Sequence, residues 1–458
     1  MDINETIIER APGRIKRHLN EFLRLATPVI ASRAGLLLLT TVDTAMLGHM
    51  APEEVAGYTL GTSPFIVLMV FGVGLMMGTL IATAHSDSGD NAAEVGRVWK
   101  QSIPYAALVG LALGGLSFFG EAYFSWTRPA AELVQTCINV FLLQGLGLLP
   151  AMLFTTTTFF LEGLRRPYPV LFAIALGNLA NIIINPLFIY GLWGLPEMGA
   201  EGAALATAIA RWTMAIGIIA YVWWLKDHHA LGIRQKLPKG WWQQSRQQRR
   251  YGYAAGLSYG FETFAFGVMA IYAGWLGTEA SAIYGVCMNM LAMIFMSALG
   301  FATATSVRVG IAHGRRDWPD RALAGWTGLA ATWAIMGLCA MALWTVPETV
   351  IGIYLTDEHL ITLALPSIAL IGFIMFGDGG QIVMAQALRG AADTWIPTAM
   401  NFVSYMMVMI PCGYLFTQVL DHGVFGLFEA IAVGSAVSVT VVTSRWTWLC
   451  IKPKRSLP

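Results

Sequence analysis

Glu262 and Asp378 each stand in a long apolar run, YAAGLSYGFETFAFGVMAIYAGWLG and ITLALPSIALIGFIMFGDGGQIVMAQALRG, with no Lys or Arg within ten residues on either side. At membrane depth a carboxylate costs about 2.5–3.5 kcal/mol on insertion scales, so a residue of this kind marks a functional site by default. The chemistry open to it is reversible capture of a proton or a small hard cation by carboxylate oxygens. A second group consists of Asp43, Asn181, Asn185 and Thr207, again inside apolar sequence, with Arg33 close by in the same run as Asp43.

Composition requires these runs to be membrane spans. The chain of 458 residues is 56% hydrophobic and 12% charged, with a mean hydropathy of +0.61, outside the range of soluble domains. Net charge is +1, which gives no footprint for nucleic acid. The cysteines Cys137, Cys287, Cys339, Cys412 and Cys450 are scattered singly without CxxC spacing, which favours buried thiols over disulfides or a metal site. Apolar runs of about 20 residues occur about twelve times, with cores from Leu25 to Leu47 at the start and Val424 to Trp448 at the end. Continuous spans of this length must be helices, because hydrocarbon offers no water to pair backbone groups and barrel strands would be half as long. The expected fold class is all-α.

Basic residues choose the orientation. Under an even number of spans, Arg10, Arg14, Lys16, Arg17 and Arg24, the Lys226 to Arg250 stretch, Arg315 and Arg316, and Lys452, Lys454 and Arg455 share one side, whereas the other keeps essentially Arg128. Both termini are therefore predicted cytoplasmic. The chain also repeats itself at an offset of roughly 225 to 230 residues. Gly74 and Ala84-His85 answer Gly300 and Ala312-His313, Leu47-Gly48 answers Leu276-Gly277, and Leu164-Arg165 answers Leu388-Arg389. The expected organisation is a cytoplasmic segment 1–22, a six-helix lobe 23–225, a linker 226–250, a second lobe 251–450 and a tail 451–458, the lobes forming a parallel repeat.

Helix arithmetic then sorts the candidates by depth. Glu262 and Asp378 each lie nine residues from the predicted cytoplasmic ends of spans seven and ten, hence both roughly 14 Å deep. Asp43, Asn185 and Thr207 converge nearer the outer end of the first lobe, with Asn181 one turn deeper than Asn185. Asp43 is close enough to that end to reach water, and the two asparagines suit helix-to-helix hydrogen bonding equally well. Arg33, near the repeat counterpart of Glu262, is either a counter-ion in a transport cavity or a group packed on a carbonyl or lipid phosphate. Glu162 is expected to pair with Arg165 and Arg166 beside it. No GxxxxGK[ST] phosphate loop and no HExxH motif occurs.

At TPVIASRAGLLLLTTVDTAMLGH, FETFAFGVMA, SVRVGIAHGRRD, DGGQIVMAQALRG and NLANIIINPLFIYGLWGLPEMGAEGAALATAIA, the chain resembles the multidrug and toxic compound extrusion (MATE) transporters, most closely their NorM-like bacterial branch. The resemblance covers nearly the whole chain. It implies two six-helix lobes around a central cavity, residence in the bacterial inner membrane as a monomer among lipid, and export of drugs and organic cations in exchange for Na⁺ or H⁺ without a cofactor. By position it implies that Glu262 and Asp378 are coupling carboxylates able to take Na⁺, that Asp43 is the coupling Asp of the first lobe, and that Asn181, Asn185 and Thr207 line a polar cavity. Some relatives carry an aromatic residue one turn before the tenth-span Asp, where this chain has Ile374. Two alternatives remain: a flippase of lipid-linked precursors from the same superfamily, usually with more spans and a more basic cavity, and a membrane-embedded enzyme, which would need a nucleophile or metal cluster at one depth.

Overall fold

The computed structural model describes residues 11–87, 92–127, 130–354 and 357–451, with side chains from residue 21 onward. Arg10, Arg128, Lys452, Lys454 and Arg455, on which part of the orientation argument rests, lie outside the described residues, as do the side chains of Arg14, Lys16 and Arg17. The long helices in chain order are α1 (Ala11–Gly48), α2 (Pro52–Ser86), α3 (Ala92–Gly115), α4 in two pieces (Val134–Leu146 and Leu148–Gly163), α5 (Tyr168–Ile189) and α6 (Gly199–Trp223). They continue with α7 (Arg246–Trp275), α8 (Thr278–Gly314), α9 (Trp318–Thr345), α10 (Glu358–Gly390), α11 (Trp395–Val419) and α12 (Gly423–Ile451). Among the described residues eleven helices are long and apolar enough to cross a membrane, twelve with the bent pair of α4 taken as one span. The chain is a multi-pass all-α membrane protein.

Three spans among the described residues depart from continuous α-helix: the third has a 3-10 turn at Leu116–Phe119, and α4 and α11 depart for a local reason each. α4 bends by 40° around Gly147, three residues before Pro150, whose missing N–H and bulky ring disfavour the preceding turn. α11 is π-helical over Val403–Met409 and again over Leu415–Val419. Pro411 lies between these stretches and cannot donate to the carbonyl of Met407, which permits the widened turn.

The chain divides into two compact units, one made of Ala31–Gly260 and the other of Phe261–Pro458 with the chain up to Ile30. The division falls inside α1 and α7 and not in the Lys226–Arg250 segment. Close helix approach explains the placement of both ends. Within the first of these units, Gly74 and Gly78 of α2 meet Gly252 and Gly256 of α7: a Cβ on Gly78 would stand 1.9 Å from the Gln248 carbonyl oxygen, and one on Gly252 would stand 2.1 Å from that of Leu75. Each pair is spaced four apart, the small-residue spacing that lets helix backbones touch. Beside the crossing, Gln248 donates to Ser102 (2.6 Å) and Thr79 (3.1 Å), with Thr156 2.9 Å from Thr79. Within the other unit Gly300, the repeat counterpart of Gly74, receives α1, where a Cβ would meet Ile30 Cγ1 at 2.3 Å, and Phe22 stacks on Phe301 at 5.2 Å.

Candidate functional site

In the unit built from Ala31–Gly260, α1 presents Asp43 to α2, α5 and α6. Its Oδ1 accepts from Asn181 Nδ2 (3.0 Å) and Asn185 Nδ2 (2.8 Å). Its Oδ2 accepts from Tyr58 (2.7 Å) and Thr207 (2.5 Å). Asp43, Asn181, Asn185 and Thr207 are all fully buried, so the water contact open to Asp43 near the end of its helix is not used. Asn181 and Asn185 lie one turn apart on α5, which aims both amides at one acceptor. The residues expected to share a site here do come together, and Tyr58 joins them.

Proton bookkeeping shows what this cage holds. Thr207 accepts from Asn181 (3.2 Å) and Tyr58 accepts from Gln144 (3.3 Å), so each hydroxyl has its own proton left for Asp43. Four donors fill the four lone-pair positions that an ionised carboxylate offers. A proton or Na⁺ arriving at Asp43 must displace one of them.

The other unit holds a different kind of site. Asp378 on α10 is buried, and its Oδ1 accepts from Ser435 of α12 at 2.8 Å. The close approach depends on Gly377, where a Cβ would stand 2.9 Å from that of Ser435. Glu262 on α7 is half-buried and loosely held: Gln381 Nε2 lies 3.4 Å and the Tyr405 hydroxyl 3.5 Å from its Oε1. Gln381 is linked in turn to Ser438 (3.5 Å), which donates to Asn401 (3.3 Å). Glu262 and Asp378 are joined through Gln381, three residues beyond Asp378 on α10, and lie within electrostatic reach of one another and of Tyr405. Two carboxylates with hydroxyl and amide oxygens around them suit a proton or a hard cation and not a transition metal, and the buried Arg389 guanidinium lies within electrostatic reach of Glu262. Among the described residues no group of three or more His, Cys, Asp or Glu side chains could hold a metal ion.

Arg33 does not join the Asp43 cluster of its own unit. It pairs with Glu162 of α4 at 3.3 Å and lies 5.8 Å from the Phe159 ring centroid. This corrects the expected pairing of Glu162 with its sequence neighbours: Arg165 turns to Asp87 (3.0 Å) and Arg166 to Asp227 (2.7 Å). Helix direction is the cause, because Glu162 is on the last α-helical turn and faces α1, whereas the two arginines follow the helix end, Arg165 with a positive φ of 58°.

The MatE family model matches residues 28–187 and 254–415, two segments that begin one repeat offset apart. The chain belongs to the MatE family. This MatE chain is 33% identical over 442 residues to the "Probable multidrug resistance protein NorM" of Caulobacter vibrioides, covering 96% of this chain and 94% of the relative. It is 27% identical over 449 residues to the "Multidrug resistance protein NorM" of Aliivibrio fischeri, covering 96% and 97%. Among solved structures, the eukaryotic MATE transporter AtDTX14 matches its fold with a TM-score of 0.87 at 16% identity, over 96% of this chain and 98% of that one. A multidrug resistance MATE family transporter of the MOP superfamily in an outward-facing conformation gives a TM-score of 0.86 at 17% identity, over 96% and 97%.

The MatE clusters contain residues that sequence reading passed over: Tyr58, Gln144, Gln381, Asn401, Tyr405, Ser435 and Ser438. Single neutral polar residues are common in spans and carry no signal by themselves. Tyr405 had one available clue, its position six residues before Pro411 in a helix bound to deform. Ile374, where an aromatic ring stands in some relatives, is buried and offers no π face to a cation.

Proposed function

We infer that this MatE chain is a secondary active multidrug efflux transporter, exporting amphiphilic and cationic compounds in exchange for Na⁺ or H⁺ by alternating access. The observation that carries this reading is the pair Glu262 and Asp378, carboxylates inside two apolar spans and joined through Gln381, which lies three residues beyond Asp378 on α10 and 3.4 Å from Glu262, in a chain of this family. Glu262, with only long contacts to Gln381 and Tyr405, has lone pairs to offer an incoming ion. Ion occupancy would favour drug release outside, and ion loss inside would leave a carboxylate to attract the next cationic substrate.

Asp43, with Asn181, Asn185 and Thr207, serves in this reading as a second cation-responsive site, reached only when a donor turns away. The chain works as a monomer among lipid in the bacterial inner membrane with both termini cytoplasmic, in line with the placement of its basic residues. Arg33 and Arg211 are each committed to a protein acceptor, so neither is offered to the anionic headgroup that a lipid-precursor flippase would need to bind. The deciding experiment is drug efflux in proteoliposomes with separately imposed Na⁺ and pH gradients. Efflux driven by one gradient supports the reading and names the ion, whereas efflux driven by neither overturns it.

A further inference from the structure

We propose that Arg211 is a positioning residue that sets the direction of the hydrogen bonds ending on Asp43; the proposal rests on the reading of Asp43 as a transport site. Arg211 on α6 is buried one turn beyond Thr207. Its Nη1 donates to Gln144 Oε1 at 2.7 Å, and the guanidinium lies 4.4 Å from the Phe65 ring centroid. The slot for it exists because α4 breaks at Gly147, where a Cβ would stand 2.7 Å from Nη1.

A guanidinium has only donors, so the oxygen of the Gln144 amide must face it. The amide nitrogen therefore points the other way, to Tyr58 at 3.3 Å. Tyr58 then accepts from Gln144, and its single proton is left for Asp43 Oδ2 at 2.7 Å. Without a donor in the place of Arg211, Gln144 is free to turn over and present its oxygen to Tyr58. Two acceptors, the Gln144 oxygen and Asp43 Oδ2, would then compete for the single Tyr58 proton, and Asp43 would no longer hold that donor alone. The family match does not distinguish Arg211, and packing against Phe65 alone would not make it act on Asp43.

The test is an efflux comparison of Gln144→Glu, Tyr58→Phe, their double variant, Arg211→Lys and Asp43→Asn, each normalised to the amount of folded protein. Gln144→Glu keeps an acceptor for Arg211 and offers Tyr58 a carboxylate oxygen, so it should divert the Tyr58 proton without emptying the slot. The expected result is that Gln144→Glu and Tyr58→Phe each lower transport efficiency by about tenfold or more. The double variant should lie within roughly twofold of Tyr58→Phe alone, since both changes remove the same donor. Arg211→Lys, still donor-only, should retain most activity. Efflux undiminished by Gln144→Glu, or losses that multiply in the double variant, would overturn the proposal while a silenced Asp43→Asn leaves the transport reading standing. Undiminished efflux by Asp43→Asn would overturn both the proposal and the reading of Asp43 as a transport site.

Discussion

The hydroxyl of Tyr405 lies 3.5 Å from Glu262 Oε1 although 143 residues separate the two in sequence, and it arrives there from a π-helical turn of α11. Tyr405 is itself fully buried. A wide turn admits one extra residue and rotates the side chains around it, and Tyr405 stands within such a turn beside Glu262. With bonds this long, the carboxylate is held in place but not saturated.

Glu262→Gln, tested beside Asp378→Asn, should therefore abolish ion-driven efflux while leaving the protein inserted and folded. Each substitution keeps the shape of the side chain and removes its ability to capture an ion. Ethidium efflux from cells with matched expression is the measurement. Undiminished efflux by both variants would sink the coupling role.

Ser435→Ala should act more mildly and on ion affinity. It removes the hydroxyl that donates to Asp378 Oδ1 at 2.8 Å, a bond to a buried charged group worth about 1.5–3 kcal/mol. The apparent affinity for the coupling ion should change by roughly tenfold or more, while the maximal rate changes less. Rates against ion concentration in proteoliposomes give the answer, and an unaltered half-saturation point would refute the assignment.

Gly78→Ala should destabilise the α2–α7 crossing. The added methyl would stand 1.9 Å from the Gln248 carbonyl oxygen, and backbone cannot turn aside as a side chain can. Overpacking costs typically 1–3 kcal/mol, occasionally more. The thermal midpoint in detergent should fall well below that of wild type, and Gly252→Ala should do the same because it opposes the Leu75 carbonyl. In contrast Gly267→Ala, whose Cβ would meet nothing, should leave the midpoint close to that of wild type.

The Arg166–Asp227 pair carries a pH dependence. Hydrogen bonding by the Arg166 guanidinium holds the Asp227 carboxyl below the usual range. Because the folded-state value is depressed, the contribution is present above the ordinary carboxylate range and is lost as pH falls through the folded-state value. Asp227→Asn should then lower the midpoint slightly near neutral pH, by at most about 1 kcal/mol for so exposed a pair. Below the carboxylate range the difference from wild type should vanish. A difference that stays constant with pH would show that the pair contributes nothing through charge.

The sequence alone determined the helical membrane architecture, because twenty-residue apolar runs have one way to satisfy their backbones in lipid. It also singled out Glu262, Asp378 and Asp43, because a charge in such a run has a cost that stands out from its surroundings. The depth arithmetic that grouped Asp43 with Asn181, Asn185 and Thr207 worked since rise per residue is fixed along a helix. Rotation and partner choice are not fixed that way. They turned Glu162 to Arg33 in place of its neighbours and brought Ser435 against Asp378 and Tyr405 to Glu262. They also let the ends of α1 and α7 be claimed by Gly300 and by the Gly74 and Gly78 face. Those outcomes depend on which helix faces pack together, on two prolines that bend or widen their helices, and on glycines whose missing Cβ decides how near another backbone can come. Such interactions join residues 57 to more than a hundred positions apart, and only the folded chain resolves them.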